Sequence, residues 1–375
     1  MIQRAIQSQI ENCFFKGKAV IIYGARQVGK TTLIQEIRKK FSEAETLYIN
    51  CDEPDLRTIL TEVTSTALKE LIGGKKMIFI DEAQRVKNIG ITLKLFVDNF
   101  SDRQVVATGS SSLDLSNESI EPLTGRKYEF QLFPFALAEL RQKYSALEIN
   151  RLLEKRIIFG MYPEIVEKPE EAEVLLKSLA GSYLYKDILQ YQSLKRPELL
   201  EKLLVALALQ IGSEVSYPEL ANLLGVNKDT VASYIQLLEK AFVIFRLSPF
   251  SRNLRSELTK LRKIYFYDTG IRNALINNFN PLPFRQDLGA LWENFMLSER
   301  MKRNFNQGNH VNAYFWRTHQ QQEIDYVEER GGTLAGFEFK WKGGKRRPPK
   351  IFLETYAGSR VEFIDSENYG EFVGL

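Results

Sequence analysis

Gly24-Ala25-Arg26-Gln27-Val28-Gly29-Lys30-Thr31 fits the pattern GxxxxGK[ST] at every fixed position, and no other stretch constrains the fold of this chain as strongly. The motif follows the apolar run Ala19–Tyr23 and opens a helix-forming stretch, Thr31–Lys40, which is the strand–loop–helix context it requires. Its glycines let the backbone wrap closely around phosphate oxygens. Successive amides and a helix N-terminus favour anions. Residues Gly24, Ala25, Arg26, Gln27, Val28, Gly29, Lys30, Thr31 and Thr32 are therefore expected to cradle a nucleoside triphosphate. Lys30 would reach the β- and γ-phosphates, and the Thr31 hydroxyl would ligate Mg²⁺.

Downstream, Met77-Ile78-Phe79-Ile80-Asp81-Glu82 reads as an apolar strand ending in two carboxylates. Asp81 is expected to hold the Mg²⁺ of the nucleotide, directly or through water. Glu82 is the candidate general base for the attacking water. Val105–Thr108 reads as another strand, running into Gly109, Ser110 and Ser111, where a small hydroxyl such as Ser110 could sense the γ-phosphate. Arg126 follows the last strand and is the candidate arginine finger, acting in its own site or in a neighbour's, with a structural ion pair as the alternative. A guanine-reading Asn-Lys-x-Asp is missing; the nearest match, Asn227-Lys228-Asp229-Thr230, has Thr in the last place. That favours ATP.

The expected fold class is α/β. Short buried strands at Ala19–Tyr23, Thr46–Asn50, Met77–Ile80 and Val105–Thr108 alternate with helical patterns over residues 1–140, implying a parallel sheet with helices on both faces. Residues 141–250 are helical and Leu-rich. Residues 251–375 return to strand-like runs at Ile264–Tyr267, Asn312–Trp316, Ile324–Glu328 and Leu334–Phe339, with a helical stretch at Leu288–Asn304. No apolar run approaches the roughly 20 residues a membrane span needs. Neither a membrane partner nor a secretory leader is expected. Cys13 and Cys51 lack metal-ligand spacing and read as reduced thiols of a cytoplasmic protein.

GARQVGKTT, MIFIDEAQ, VVATGSSS and LTGRKYEFQLFPFALAEL together resemble the AAA+-type ATPases of bacteria and archaea, in which a poorly characterised C-terminal region follows the core. FGMYPEIV, YLYKDIL and KIYFYDTGIRN resemble that C-terminal region. The resemblance implies an ASCE-class P-loop fold with Glu82 as catalytic base, and it leaves the cellular role open. ATPases of this kind often self-associate as rings.

In the middle segment, Ser216–Leu238 reads as helix, glycine turn, helix, with Asn227 as N-cap and Lys228, Thr230, Ser233 and Tyr234 facing outward. This is the pattern of a helix-turn-helix, with Ala241–Phe250 as the wing of a winged helix. Such a unit serves DNA or protein contact. In the last segment, Glu293 on a helix, Asp325 on a strand and Glu338-Phe339-Lys340 on the next resemble the PD-(D/E)XK nuclease fold. There Glu293, Asp325 and Glu338 would hold a second Mg²⁺ or Mn²⁺, with Lys340 beside the water. Lys342, Lys345, Arg346, Arg347 and Lys350 cluster after it and suit a phosphate backbone, or simply a solvated loop. His310 and His319 are too few for a His-rich metal site and read as surface residues.

Net charge of only +4 permits DNA as a partner without arguing for it. Three readings stand at this stage. The chain is a DNA-processing ATPase, an ATP-gated switch whose C-terminal part binds without cutting, or a protein that holds ATP with negligible turnover.

Overall fold

In a computed structural model of the chain, the described residues are 1–110, 123–183, 197–251, 262–318, 320–344 and 347–375. Ser111, His319, Lys345, Arg346 and residues 184–189 of the YLYKDIL segment lie outside the described residues.

The first sheet consists of β1 (Ala19–Tyr23), β2 (Thr46–Asn50), β3 (Met77–Asp81), β4 (Gln104–Gly109) and β5 (Lys127–Gln131). Their order is β2-β3-β4-β1-β5, and every neighbouring pair is parallel. Helices α1 (Gln7–Glu11), α2 (Lys30–Arg38), α3 (Pro54–Leu60), α4 (Ser65–Ile72) and α5 (Ile89–Asn99) accompany these strands. β1 explains why two faces are covered. Val20 and Ile22 share a core with Leu33, Ile34 and Ile37 of α2. Ala19 and Ile21 share the opposite one with Leu93 and Phe96 of α5. A strand apolar at consecutive positions has no solvent face to offer, so it is sandwiched. This is a P-loop NTPase sheet, as expected. β5 had no counterpart among the expected strands.

After β5 come α6 (Leu137–Leu140), α7 (Ala146–Phe159), α8 (Pro163–Glu167), α9 (Ala172–Ser178) and α10 (Pro197–Leu209). Next, α11 (Tyr217–Leu224) and α12 (Lys228–Lys240) flank a turn at Gly225, whose φ of 65° is left-handed. Asn227 caps α12 by accepting from the Thr230 amide at 2.7 Å. The helix–turn–helix geometry is therefore present.

The strand after it differs from a free wing. β7 (Ile244–Pro249) pairs antiparallel with β8 (Arg262–Phe266) and parallel with β9 (Asn312–Arg317). It thereby joins a mixed sheet with β6 (Glu214–Val215), β10 (Glu323–Arg330), β11 (Thr333–Phe339) and β12 (Arg360–Ile364), in the order β12-β11-β10-β9-β7-β8-β6. Ile244 and Leu247 of β7 are buried, and that apolar surface holds the strand inside the sheet. β7 and β8 bond across position 250, where the sequence suggested a division.

Helices α13 (Thr269–Leu275), α14 (Leu288–Asn306), α15 (Lys350–Thr355) and α16 (Tyr369–Val373) complete the chain. The largest core joins Leu137 and Leu140 of α6 and Ile149, Leu153 and Ile157 of α7 to Trp292, Phe295 and Met296 of α14 and Phe337 and Phe339 of β11. The segment after the first sheet thus packs directly under the C-terminal sheet. Among the described residues, no helix is long and apolar enough to cross a membrane.

Candidate functional site

The glycine loop leaves the C-terminal end of β1. At Gly24 an added Cβ would lie 2.2 Å from the Leu132 carbonyl oxygen, so no side chain fits without moving backbone. Gly29, with φ +95°, supplies the left-handed turn into α2. Gln27, at φ 60°, also lies in that region and stores strain of about 1–3 kcal/mol in the loop. Lys30 opens α2, is buried, and donates through Nζ to the Gly24 and Ala25 carbonyls, each at 3.0 Å. The N-cap of α2 is Gly29, which brings no capping side chain of its own to the first amides of the helix.

Arg4 fixes this loop from outside, and nothing local in the sequence announced it. Its guanidinium donates to the Val28 carbonyl at 2.8 Å, to the Phe133 carbonyl at 2.7 Å and to Glu139 at 3.0 Å. Glu139 also accepts from the Ala5 and Ala136 amides, both at 2.8 Å. Beyond it, Glu299 of α14 accepts from the Leu137 amide at 2.7 Å, and Lys302 donates to the Phe135 carbonyl at 3.0 Å. The segment 133–139 is thus gripped by the phosphate-loop side and by the C-terminal helix at once.

Parallel pairing puts the acidic end of β3 beside the end of β4, at the edge of the sheet where β1 enters the loop. Tyr48 donates to Asp81 Oδ2 at 2.8 Å, and the Thr108 hydroxyl donates to Asp81 Oδ1. Burial, then the Asp81 charge, raise the Tyr48 phenol above its ordinary value, so it remains a donor. The same two causes push the Cys51 thiol up to about 12, leaving it protonated and unreactive. Glu82 has φ 51°, and its amide donates to Thr108 Oγ1 at 3.1 Å. Gln84 donates through Nε2 to Glu82 Oε2 at 2.5 Å and to Ser110 Oγ at 2.9 Å. Asp81, Glu82 and Ser110 are therefore one hydrogen-bonded group. Next to the loop, Gln27, Tyr162, Glu164, Ile165, Leu175, Ser178 and Leu179 line a cavity of about 140 Å³.

Arg126 lies elsewhere. Its carbonyl accepts from the Ala19 amide at the start of β1, and its side chain pairs with Asp98 of α5 at 2.6 Å. The phosphate loop leaves the other end of β1, roughly 16 Å away at about 3.3 Å per residue. The expectation that Arg126 reaches its own chain's γ-phosphate is corrected on that ground: a parallel sheet separates its two edges by the strand's length.

The C-terminal acids are arranged differently from the expectation. Glu293 Oε1 accepts from Tyr265 at 2.5 Å and from Lys263 at 3.2 Å. Lys263 also pairs with Glu323 and sits 5.5 Å from the Phe315 ring centre. Asp325 Oδ2 accepts from the Phe339 amide at 2.9 Å. Glu338 alternates with Phe337 and Phe339, which enter the core under α14, so it leaves β11 on the face away from Glu293. Among the described residues, no three His, Cys, Asp or Glu side chains gather as a metal site. Where the sequence suggested a divalent cation between Glu293, Asp325 and Glu338, the structure has the Lys263 ammonium among Glu293, Glu323 and Asp325. Burial opposes the Lys263 charge, but those three carboxylates outweigh it and raise its pKa. Burial, then the Asp325 charge, raise Glu293 to about 7. Asp325 is raised by burial, against the opposing charges of Lys263 and Lys340.

Comparison with known proteins agrees with the N-terminal geometry. Residues 16–141 match an AAA domain family, while residues 150–282 and 288–364 match two families described as domains of unknown function. An uncharacterized protein of Methanocaldococcus jannaschii is 26% identical over 344 residues, covering 86% of this chain and 75% of that protein. An uncharacterized protein of Mycobacterium tuberculosis is 27% identical over 342 residues, covering 90% and 74% respectively. The structure of a Walker-type ATPase of Pyrococcus abyssi aligns with a TM-score of 0.48 at 15% identity, over 74% of this chain and 96% of that one. The loop and the sheet give the N-terminal part the fold of a P-loop NTPase, and the AAA domain match over residues 16–141 supports nucleotide binding there.

Proposed function

We propose that this chain binds Mg·ATP on Gly24–Thr32 and hydrolyses it with Glu82 as general base, using the nucleotide state to control a C-terminal half that binds a partner without cutting it. The observation that carries the first part is the joined group of Asp81, Glu82 and Ser110 at the loop-bearing edge of the sheet. The residues fit the ligand. Gly24 and Gly29 form a cradle that a Cβ would fill or strain, α2 begins at a glycine that brings no capping side chain, and Thr31 and Asp81 offer the oxygen donors a hard cation takes.

In this reading Lys30 exchanges the loop carbonyls for phosphate oxygens. Mg²⁺, when bound, neutralises charge on the β- and γ-phosphates. Thr108 and Tyr48 fix the Asp81 carboxylate on both oxygens. Glu82 takes the proton of the water that attacks the γ-phosphorus as the bond to ADP breaks, and Ser110 stands beside it. In the mixed cavity beside Gln27, Tyr162, Ile165, Leu175 and Leu179 offer apolar surface to the flat face of a purine, and Glu164 and Ser178 offer polar groups to its edge. An arginine finger, if Arg126 supplies one, would come from a neighbouring copy.

For the C-terminal half, the Lys263 ammonium among the acids favours a non-cleaving switch over a metal-dependent nuclease. The α11–α12 unit, with Lys228 and Ser233 exposed while the expected outward residue Tyr234 packs half-buried against the core, is the element proposed to meet the partner, DNA or protein. Phosphate release with Lys30→Ala and Glu82→Gln tests the first part. Lys30→Ala should lose nucleotide binding, and Glu82→Gln should bind ATP without turnover. Normal hydrolysis by Glu82→Gln would remove the base assignment. Mn²⁺-dependent cutting of plasmid or single-stranded DNA that disappears in Asp325→Ala would restore the nuclease reading.

A further inference from the structure

Glu82 follows β3 in a left-handed conformation, φ 51°, which a glutamate adopts at a cost of about 1–3 kcal/mol. The turn that follows, Ala83–Arg85, is held by the Arg85 and Val86 amides bonding back to Glu82 and Ala83, and by the Arg85–Asp52 ion pair. The consequence is geometric. The chain doubles back, and Gln84 arrives beside the carboxylate two residues before it. Its amide nitrogen then bridges Glu82 Oε2 and Ser110 Oγ at 2.5 and 2.9 Å. The orientation of that amide follows from charge: an ionised Glu82 only accepts, so the nitrogen must face it. The other end, Gln84 Oε1, is buried with no hydrogen-bond partner among the described residues. A buried acceptor left unmatched costs about 1–3 kcal/mol.

We propose that Gln84 is a positioning residue for ATP turnover, locking the Glu82 carboxylate to the Ser110 hydroxyl so that the base and the γ-phosphate-side hydroxyl move as one unit. The inference rests on the hydrolytic reading above. One Glu82 oxygen is committed to the amide, which leaves the other to take the proton. Gln84 Oε1 is itself shut off from solvent, so the amide acts through Glu82 and Ser110 and not on the water. A carboxylate pinned through one oxygen keeps the other pointing one way, which is what proton removal during in-line attack needs.

The test uses the full-length chain, with ADP affinity measured by calorimetry and turnover by phosphate release across pH. Gln84→Ala should keep the ADP Kd and thermal midpoint of the parent while kcat falls about a hundredfold, the loss expected of a reacting group set loose. Gln84→Glu places a second carboxylate against Glu82, and should move the acidic limb of the kcat profile upward by about one pH unit or more. Gln84→Asn, one methylene short, should resemble Gln84→Ala. Unchanged or increased kcat in Gln84→Ala would overturn the proposal, and so would a loss confined to the ADP Kd. If the parent chain itself neither binds nor hydrolyses nucleotide, it is the hydrolytic reading that fails, a result visible before any variant is made.

Discussion

Replacing Arg4 with methionine keeps an unbranched apolar stem and removes every donor of the guanidinium. Arg4 is 8% exposed and Glu139 2%, so neither partner of the broken pair would regain water without local opening. Breaking a buried ion pair from one side costs about 3–5 kcal/mol. Glu139 keeps the Ala5 and Ala136 amides, which puts its share near the lower figure. The carbonyls of Val28 and Phe133 lose a charged donor each, adding about 1 kcal/mol or more. We expect a total of about 4 kcal/mol, read by equilibrium urea unfolding followed by circular dichroism. Because Val28 belongs to the phosphate loop, ADP affinity in calorimetry should also fall by about tenfold, equivalent to about 1.4 kcal/mol of lost loop order. A double-mutant cycle with Glu139→Gln isolates the pair, and should return a coupling above about 1 kcal/mol. A destabilisation below about 1 kcal/mol, with ADP affinity unchanged, would refute the reasoning. It would mean that the pair behaves as an exposed one and that Arg4 does not hold the loop.

Lys263→Met should destabilise the C-terminal sheet by about 3–5 kcal/mol, since Glu293, Glu323 and Asp325 would lose their shared cation; tryptophan fluorescence during urea unfolding reads this, as all three tryptophans lie in that half. A second change, Glu293→Gln, should recover part of the loss. Glu293 gives a pH signature. Burial raises its folded pKa to about 7 from an ordinary 4.5, so the folded chain keeps a proton the unfolded chain releases, and stability falls as pH rises through that window. The fall should be roughly 1–3 kcal/mol and should vanish in Glu293→Gln, measured as the urea midpoint at pH 5 and pH 8. Gly24→Ala should abolish ATP binding in calorimetry, because its Cβ would stand 2.2 Å from the Leu132 carbonyl.

Much of the N-terminal site was legible because it is local. Lys30 and Thr31 open the helix after a glycine loop, Asp81 and Glu82 sit at the end of an apolar run that marks itself, and the glycine spacing has few structural alternatives. β5 escaped that signal. Lys-Tyr-Glu-Phe-Gln is a half-exposed edge strand that lacks β-branched residues, and only its register with β1 makes it a strand. The C-terminal acids were misread for a related reason. Order along the chain suggested that Glu293, Asp325 and Glu338 converge, yet strand alternation turns Glu338 away, and Lys263, in a run that reads as an ordinary strand, supplies the charge between the others.

What the sequence alone determined was therefore the set of short-range facts: a glycine loop between strand and helix, the acids at the end of a nearby strand, a capped helix–turn–helix, and a chain without long apolar spans. Each follows from backbone chemistry within a few residues. Only the tertiary structure decided which distant groups share a buried space. It placed Arg4 on Val28 and Glu139, Lys263 among three carboxylates, Gln84 between Glu82 and Ser110, and Arg126 at the far edge of the sheet. The physical reason is that a buried charge or amide must find partners wherever packing brings them, and packing joins residues that no local pattern relates.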